Sequence, residues 1–187
     1  MKKGLLALLL TVVLVAPVFA ADQGAMELDI KAGFNLMSKI DWGRPYDLDV
    51  DPAFTAGVDF FYYVMPQLAI GAGIDYIFNS EVKKTMFKAG WTNIYAQAKY
   101  VFETGNDIFN NIYPLVQVGV GMLRLDPDDG IEKETGLYWG AGVGTTIKEN
   151  FVFEVLYSSS KSNIPDGPIS DVTYSTLQLK VGYKFVF

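Results

Sequence analysis

The sequence predicts an all-β protein, an eight-stranded antiparallel up-and-down β-barrel that crosses a membrane. Two observations lead there. Apolar residues recur with period two over eight segments, the strand period and not the helical one. The connections between those segments alternate between long polar stretches and tight turns. A third observation excludes the other route through a bilayer. Half of the residues are hydrophobic, yet beyond residue 20 no stretch approaches the roughly 18 consecutive apolar residues of a transmembrane helix. A chain that enters a bilayer without such a helix must close into a barrel, because an open sheet edge leaves backbone groups with no water to satisfy them.

The elements follow in order. Residues 1–20 read as a secretory signal peptide. Lys2 and Lys3 precede an apolar run from Leu5 to Val15, and Val18-Phe19-Ala20 supplies the small residues of a cleavage site after Ala20. Residues 21–187 then form one barrel domain. The first strand, 25–37, places Met26, Leu28, Ile30, Ala32, Phe34 and Leu36 on one face, against Glu27, Asp29, Lys31, Gly33 and Asn35. Strands are expected at 53–64 and 68–78, joined by Met65-Pro66-Gln67, then at 91–102 and 113–123. Those at 137–147 and 151–160 are joined by Lys148-Glu149-Asn150. In the last, 174–187, Leu177, Leu179, Val181, Tyr183, Phe185 and Phe187 oppose Thr176, Gln178, Lys180, Gly182 and Lys184. The connections 38–52, 79–90, 124–136 and 161–172 are long and polar, whereas 103–112 is intermediate. Long loops on one rim and short turns on the other are the layout of outer-membrane barrels.

Side-chain size assigns the faces. A soluble lipocalin-like barrel would turn its apolar set inward. Here that set includes Phe34, Phe54, Phe60, Tyr62, Tyr76, Phe78, Tyr100, Phe102, Trp139, Phe151, Phe153, Tyr157, Tyr183, Phe185 and Phe187, too bulky for a small lumen with room only for modest side chains. The opposite set is rich in glycine, at Gly71, Gly73, Gly119, Gly121, Gly140, Gly142 and Gly144. The aromatics gather toward strand ends around Val116, Val118, Val120, Ala141 and Val143, as two interfacial girdles around an aliphatic belt require.

With the signal peptide and the alternating strands, the final Tyr183-Lys184-Phe185-Val186-Phe187 resembles the outer membrane protein β-barrel domain family. In layout the likeness is to its small eight-stranded members, of the OmpX and OmpA transmembrane-domain type. The resemblance implies residence in a bacterial outer membrane, surrounded by outer-membrane lipid. It also implies that Tyr183, Phe185 and Phe187 act as the assembly signal read by the barrel-assembly machinery.

The inward face carries the charges Glu27, Asp29, Lys31, Asp59, Asp75, Lys99, Glu154, Lys180 and Lys184. Buried charges persist only when paired. Closure should bring Glu27 and Asp29 near Lys184 and Lys180, and Lys31 near Asp59. The set reads either as a gate in a narrow pore or as a plug, and the small lumen of eight strands favours the plug. Asp47, Asp49 and Asp51, and Asp126, Asp128 and Asp129 before Gly130, lack the spacing of a calcium loop and read as solvated charges. Gly140 to Gly144 lies within a strand pattern and reads as interior packing, not a nucleotide loop.

The chain has no histidine and no cysteine. Ser158, Ser159 and Ser160 therefore have no evident activating base, and no enzymatic activity, cofactor or metal is expected. The net charge of −6 argues against a nucleic-acid partner. The expected function is structural or surface-interacting, as a monomer whose four long loops meet an extracellular partner. The alternative is a narrow porin-like channel for small or apolar solutes.

Overall fold

Period-two alternation becomes a closed wall because every backbone N–H and C=O in a bilayer must find a partner within the protein. The computed structural model describes residues 22–41, 48–83, 88–106, 108–126, 132–163 and 171–187. The signal-peptide segment and the loop tips, including Asp47, Asp128, Asp129 and Gly130, lie outside the described residues.

Eight strands build the wall: β1 (Met26–Asp41), β3 (Ala53–Tyr63), β4 (Leu68–Glu81), β5 (Lys88–Tyr100), β7 (Phe109–Asp126), β8 (Glu132–Ile147), β9 (Phe151–Asn163) and β10 (Asp171–Val186). Each pairs antiparallel with its neighbours in sequence, and β10 pairs back onto β1 from Glu27↔Val186 to Asp41↔Thr173, which closes the barrel. Two short strands extend the ladders. β2 (Leu48–Val50) folds back on β1, and β6 (Phe102–Glu103) pairs with β7.

The strands outrun the sequence reading at the loop rim. β1 continues to Asp41, β4 to Glu81, β9 to Asn163, and β5, β8 and β10 begin at Lys88, Glu132 and Asp171. Much of the four long connections is therefore paired strand. On the turn rim, β6 and β7 leave only 104–108 between them.

Two bulges explain why alternation fades where it does. Register shifts between Leu36 and Lys39, and between Ile77 and Ser80. Met37, at the first shift, has a φ of 50°, a conformation uncommon outside glycine. Beyond each shift the inward phase moves by one residue, so that Ser38 and Ile40, then Ser80 and Val82, point inward and are buried. A bulge adds one unpaired residue and so inverts the face assignment downstream.

The outer wall carries the aromatic set. Of its fifteen members, Tyr100 and Phe102 are half-buried and the others are exposed. Phe34, Phe54, Phe78 and Tyr76 touch in series on the loop side, with centroids 5.7, 5.4 and 4.9 Å apart. Phe151, Tyr183 and Phe185 do so on the turn side at 5.6 and 4.8 Å. Between these girdles Val58, Ile74, Ile94, Val118 and Val181 are exposed, an aliphatic belt that only lipid covers favourably.

Candidate functional site

The candidate site is the lumen, which the inward half of every strand fills in layers. Nearest the turn rim, the Lys99 ammonium pairs with Glu27, whose other oxygen accepts from the Tyr63 hydroxyl at 2.7 Å. The same ammonium lies 3.9 Å from the Phe61 ring centroid and 4.9 Å from that of Tyr113. A cation held against ring faces in a dry interior gains attraction beyond its ion pair. Around these residues Ala69, Val101, Leu115, Val152 and Leu156 form an apolar collar.

At mid-barrel, Lys31 sits between two carboxylates, pairing with Asp59 and, at 2.6 Å, with Glu154. Tyrosine hydroxyls fill the remaining acceptors. Tyr95 donates to Asp59 at 2.9 Å and Tyr113 to Glu154 at 3.0 Å. Lys180 crosses the lumen to Asp75. Tyr138 donates to the Gln117 carbonyl oxygen at 2.7 Å, and the Gln117 amide donates to Gln97 at 3.0 Å.

Above this lies an uncharged polar layer. Ser38 and Thr176 hydroxyls bond at 2.8 Å, Asn35 donates to the Tyr174 hydroxyl at 3.2 Å, Gln178 to Ser158 at 3.1 Å and Ser160 to Asn93 at 3.1 Å. The loop end is closed by apolar packing. Trp91 and Tyr174 stack at 3.8 Å and 15°, among Ile40, Val50, Ile77, Val82, Leu123 and Val172.

The closed eight-stranded barrel has counterparts among known proteins. The model of the outer membrane protein beta-barrel domain matches residues 6–185. The chain belongs to that family. No curated protein matches the sequence. Among solved structures, the barrel is similar to Neisserial surface protein A at 16% identity, with 87% of this chain and 99% of that chain covered and a TM-score of 0.61. It is also similar to Ail, the attachment invasion locus protein of Yersinia pestis, at 17% identity, with 88% and 100% covered and a TM-score of 0.53. A second Ail structure, in complex with the heparin analogue sucrose octasulfate, gives 21% identity, 86% and 99% covered, and a TM-score of 0.52. At these identities the likeness is one of fold. The protein is a barrel of the bacterial outer membrane.

In this outer membrane barrel, all nine charges singled out in the sequence are buried, but their pairing differs in part from the expectation. Lys31 meets Asp59 as anticipated. Lys180 stands opposite Gly33 in register and reaches across to Asp75, so it does not serve Glu27 or Asp29. Glu27 is served by Lys99 from β5 instead. Lys184 is opposite Asp29 in register, yet among the described residues its ammonium forms no ion pair and neither Asp29 oxygen accepts a hydrogen bond. Backbone register sets who is adjacent, whereas a long lysine stem in a narrow lumen reaches the far wall as easily as the near one.

Sequence reasoning missed the inward rings, because it took the lumen to admit only modest side chains. Trp91, Tyr113, Tyr138 and Phe61 are among the largest fully buried residues. Glycines make their space: a Cβ at Gly144 would strike the Tyr113 ring, and one at Gly73 would strike Asp59 and the Tyr95 ring. The signal was present in the parity. Tyr95 shares a face with Asn93, Gln97 and Lys99, and Tyr113 with Gln117. Such a lumen is filled by side chains that bond largely to one another, although buried polar atoms of Asp29, Asn35, Thr55, Gln97, Ser162 and Gln178 have no hydrogen-bond partner among the described residues. Among the described residues no group of three or more acidic side chains is placed to hold a metal ion.

Proposed function

We propose that this barrel is a plugged scaffold, which anchors four loops at the cell surface for contact with an extracellular partner and passes no solute. One observation carries the reading. The lumen is closed at the loop end by the Trp91–Tyr174 stack and its apolar surround, above a polar network already bonded to itself. Eight strands leave an interior just wide enough for side chains to fill. Strands that continue beyond the aromatic girdle lift the loops clear of the membrane, which suits contact more than conduction.

The reading is non-enzymatic. Ser158 and Ser160 hydroxyls are engaged with Gln178 and Asn93, and no histidine exists to activate them. Asp41, Asp47, Asp49 and Asp51 make the first loop acidic and Asp126, Asp128, Asp129, Glu132 and Glu134 the third, whereas Lys83, Lys84 and Lys88 make the second basic, so the loop rim offers a partner patches of both signs. Assembly as a monomer through the barrel-assembly machinery, with Tyr183, Phe185 and Phe187 as its signal, fits their outward exposure along β10. Cleavage after Ala20 belongs to the same proposal.

The test is ion conductance of refolded protein in a planar lipid bilayer, with folding checked by heat-modifiable gel mobility. The wild-type barrel is expected to be silent. Discrete steps from the wild type would overturn the plug in favour of the narrow porin-like channel.

A further inference from the structure

At the turn rim the barrel opens into a cavity of about 300 Å³, lined by Tyr63, Val101, Glu103, Asn110, Asn111, Thr146, Glu149, Lys184 and Val186. Its size is at the lower end of the range for small-molecule sites. We infer that this cavity binds a small zwitterion, an α-amino acid or a short peptide such as a dipeptide, with its carboxylate on Lys184 and its ammonium between Glu103 and Glu149.

Lys184 carries the first half of the inference. Its residue is 9% exposed, and its ammonium has no ion pair among the described residues although it lines an open cavity. A cation so far withdrawn from water requires acceptors. Its backbone is fixed on both sides: the Lys184 N–H donates to the Asn150 carbonyl at 2.7 Å, and the Asn150 side-chain amide donates to the Lys184 carbonyl at 3.1 Å. The ammonium therefore projects from an anchored position.

The asparagines supply further donors of fixed orientation. The Asn110 side-chain oxygen accepts from the Glu149 N–H at 2.8 Å, and that of Asn111 from the Thr146 N–H at 3.2 Å. With each oxygen committed to backbone, each amide nitrogen is left to donate to a ligand. Lys184, Asn110 and Asn111 together suit a carboxylate.

Charge then selects among carboxylates. Glu103 and Glu149 line the same cavity and would repel a simple anion. A ligand that also carries an ammonium turns both into partners. Glu149 is held in a turn with a φ of 67° and tied to Asn110 through its N–H, so its place is preset. Below, Tyr63 and Val101 give a buried floor that ends the site before the Lys99–Glu27 pair.

The test uses the refolded, isotope-labelled barrel in micelles, with glycylglycine as probe and NMR of the Asn110 and Asn111 amides as readout. Saturable shifts are expected with glycylglycine, and none with acetate or ethylamine at equal concentration. Lys184→Met is expected to weaken binding by at least about tenfold, and Glu149→Gln combined with Glu103→Gln to do the same. Both variants are first checked for folded gel mobility, and Lys39→Met on the opposite rim serves as a control with unchanged binding. An equal response to acetate would overturn the zwitterion and leave a plain anion site. No saturable response from folded wild-type protein would overturn the site altogether, without bearing on whether the barrel conducts.

Discussion

Lys31 is the interior lysine that, among the described residues, serves two carboxylates at once. It is 2% exposed and faces Asp59 and Glu154 together. Replacing it with methionine preserves volume and leaves two buried carboxylates without their cation. Breaking a buried pair in this way costs about 3–5 kcal/mol, so the urea midpoint of Lys31→Met is expected to fall sharply. Lys184→Met removes no ion pair among the described residues and is expected to change stability by less than about 1 kcal/mol. Equal losses from the two would remove the distinction between paired and unpaired interior lysines. Glycine matters on the same scale. Gly144→Ala pushes its Cβ into the ring of Tyr113, whose hydroxyl holds Glu154 at 3.0 Å. Overpacking of that kind costs about 1–3 kcal/mol, read as a lower unfolding midpoint with retained gel mobility.

Among the elements, β4 shows how a bulge is held. Its register shifts between Ile77 and Ser80, and the freed carbonyls need donors. Arg124 on β7 supplies them: one guanidinium nitrogen donates to the Ile77 carbonyl at 3.0 Å and reaches the Trp91 carbonyl at 3.5 Å. The guanidinium carbon lies 3.9 Å from the centroid of Tyr76, whose ring stacks beneath it. Ser80 completes the bulge by donating to the Asp51 carbonyl at 2.7 Å. Arg124→Ala is expected to cost about 1–3 kcal/mol and to speed amide exchange at Ser80 and Gly90 while leaving the turn-rim strands protected. Unchanged exchange there would mean that the bulge holds itself without the arginine.

The whole molecule is stable only in a solvent that matches both of its faces. The exposed aliphatic belt has no protein partner to cover it, so lipid supplies the apolar surroundings that a soluble protein finds in its own core. Val118, exposed on that belt, tests the inversion. Val118→Arg is expected to destabilise the folded barrel in liposomes by about 2–4 kcal/mol, the range for a cation near the bilayer midplane. Thr135→Arg, on the same wall beyond the girdle, is expected to be nearly neutral. Equal effects from the two would contradict the placement of the membrane. Closure between β1 and β10 leaves no free edge along the wall, and it is what makes an interior of nine charges enclosed at all.

Period-two alternation was enough to determine the strand count, the antiparallel up-and-down order and the inward set of charges, because a strand has only two faces and a bilayer assigns them by polarity. Alternation stopped being informative at Met37 and Phe78, where bulges shift the phase and turn Ser38, Ile40, Ser80 and Val82 inward, out of step with the residues before them. Past those points the strand flanks and β2 were invisible in the sequence. Loop-rim closure by Trp91 and Tyr174 was equally hidden, since one lies on β5 and the other on β10 and only the curvature of the closed sheet stacks them. Ion-pair partners were decided there too. Charge and parity put Lys180, Asp75, Lys99 and Glu27 inside, but which crosses to which is set by barrel diameter and by glycines that let tyrosine rings share the lumen. A one-dimensional pattern records the direction of each side chain; distances across a closed curve exist only once the curve has closed.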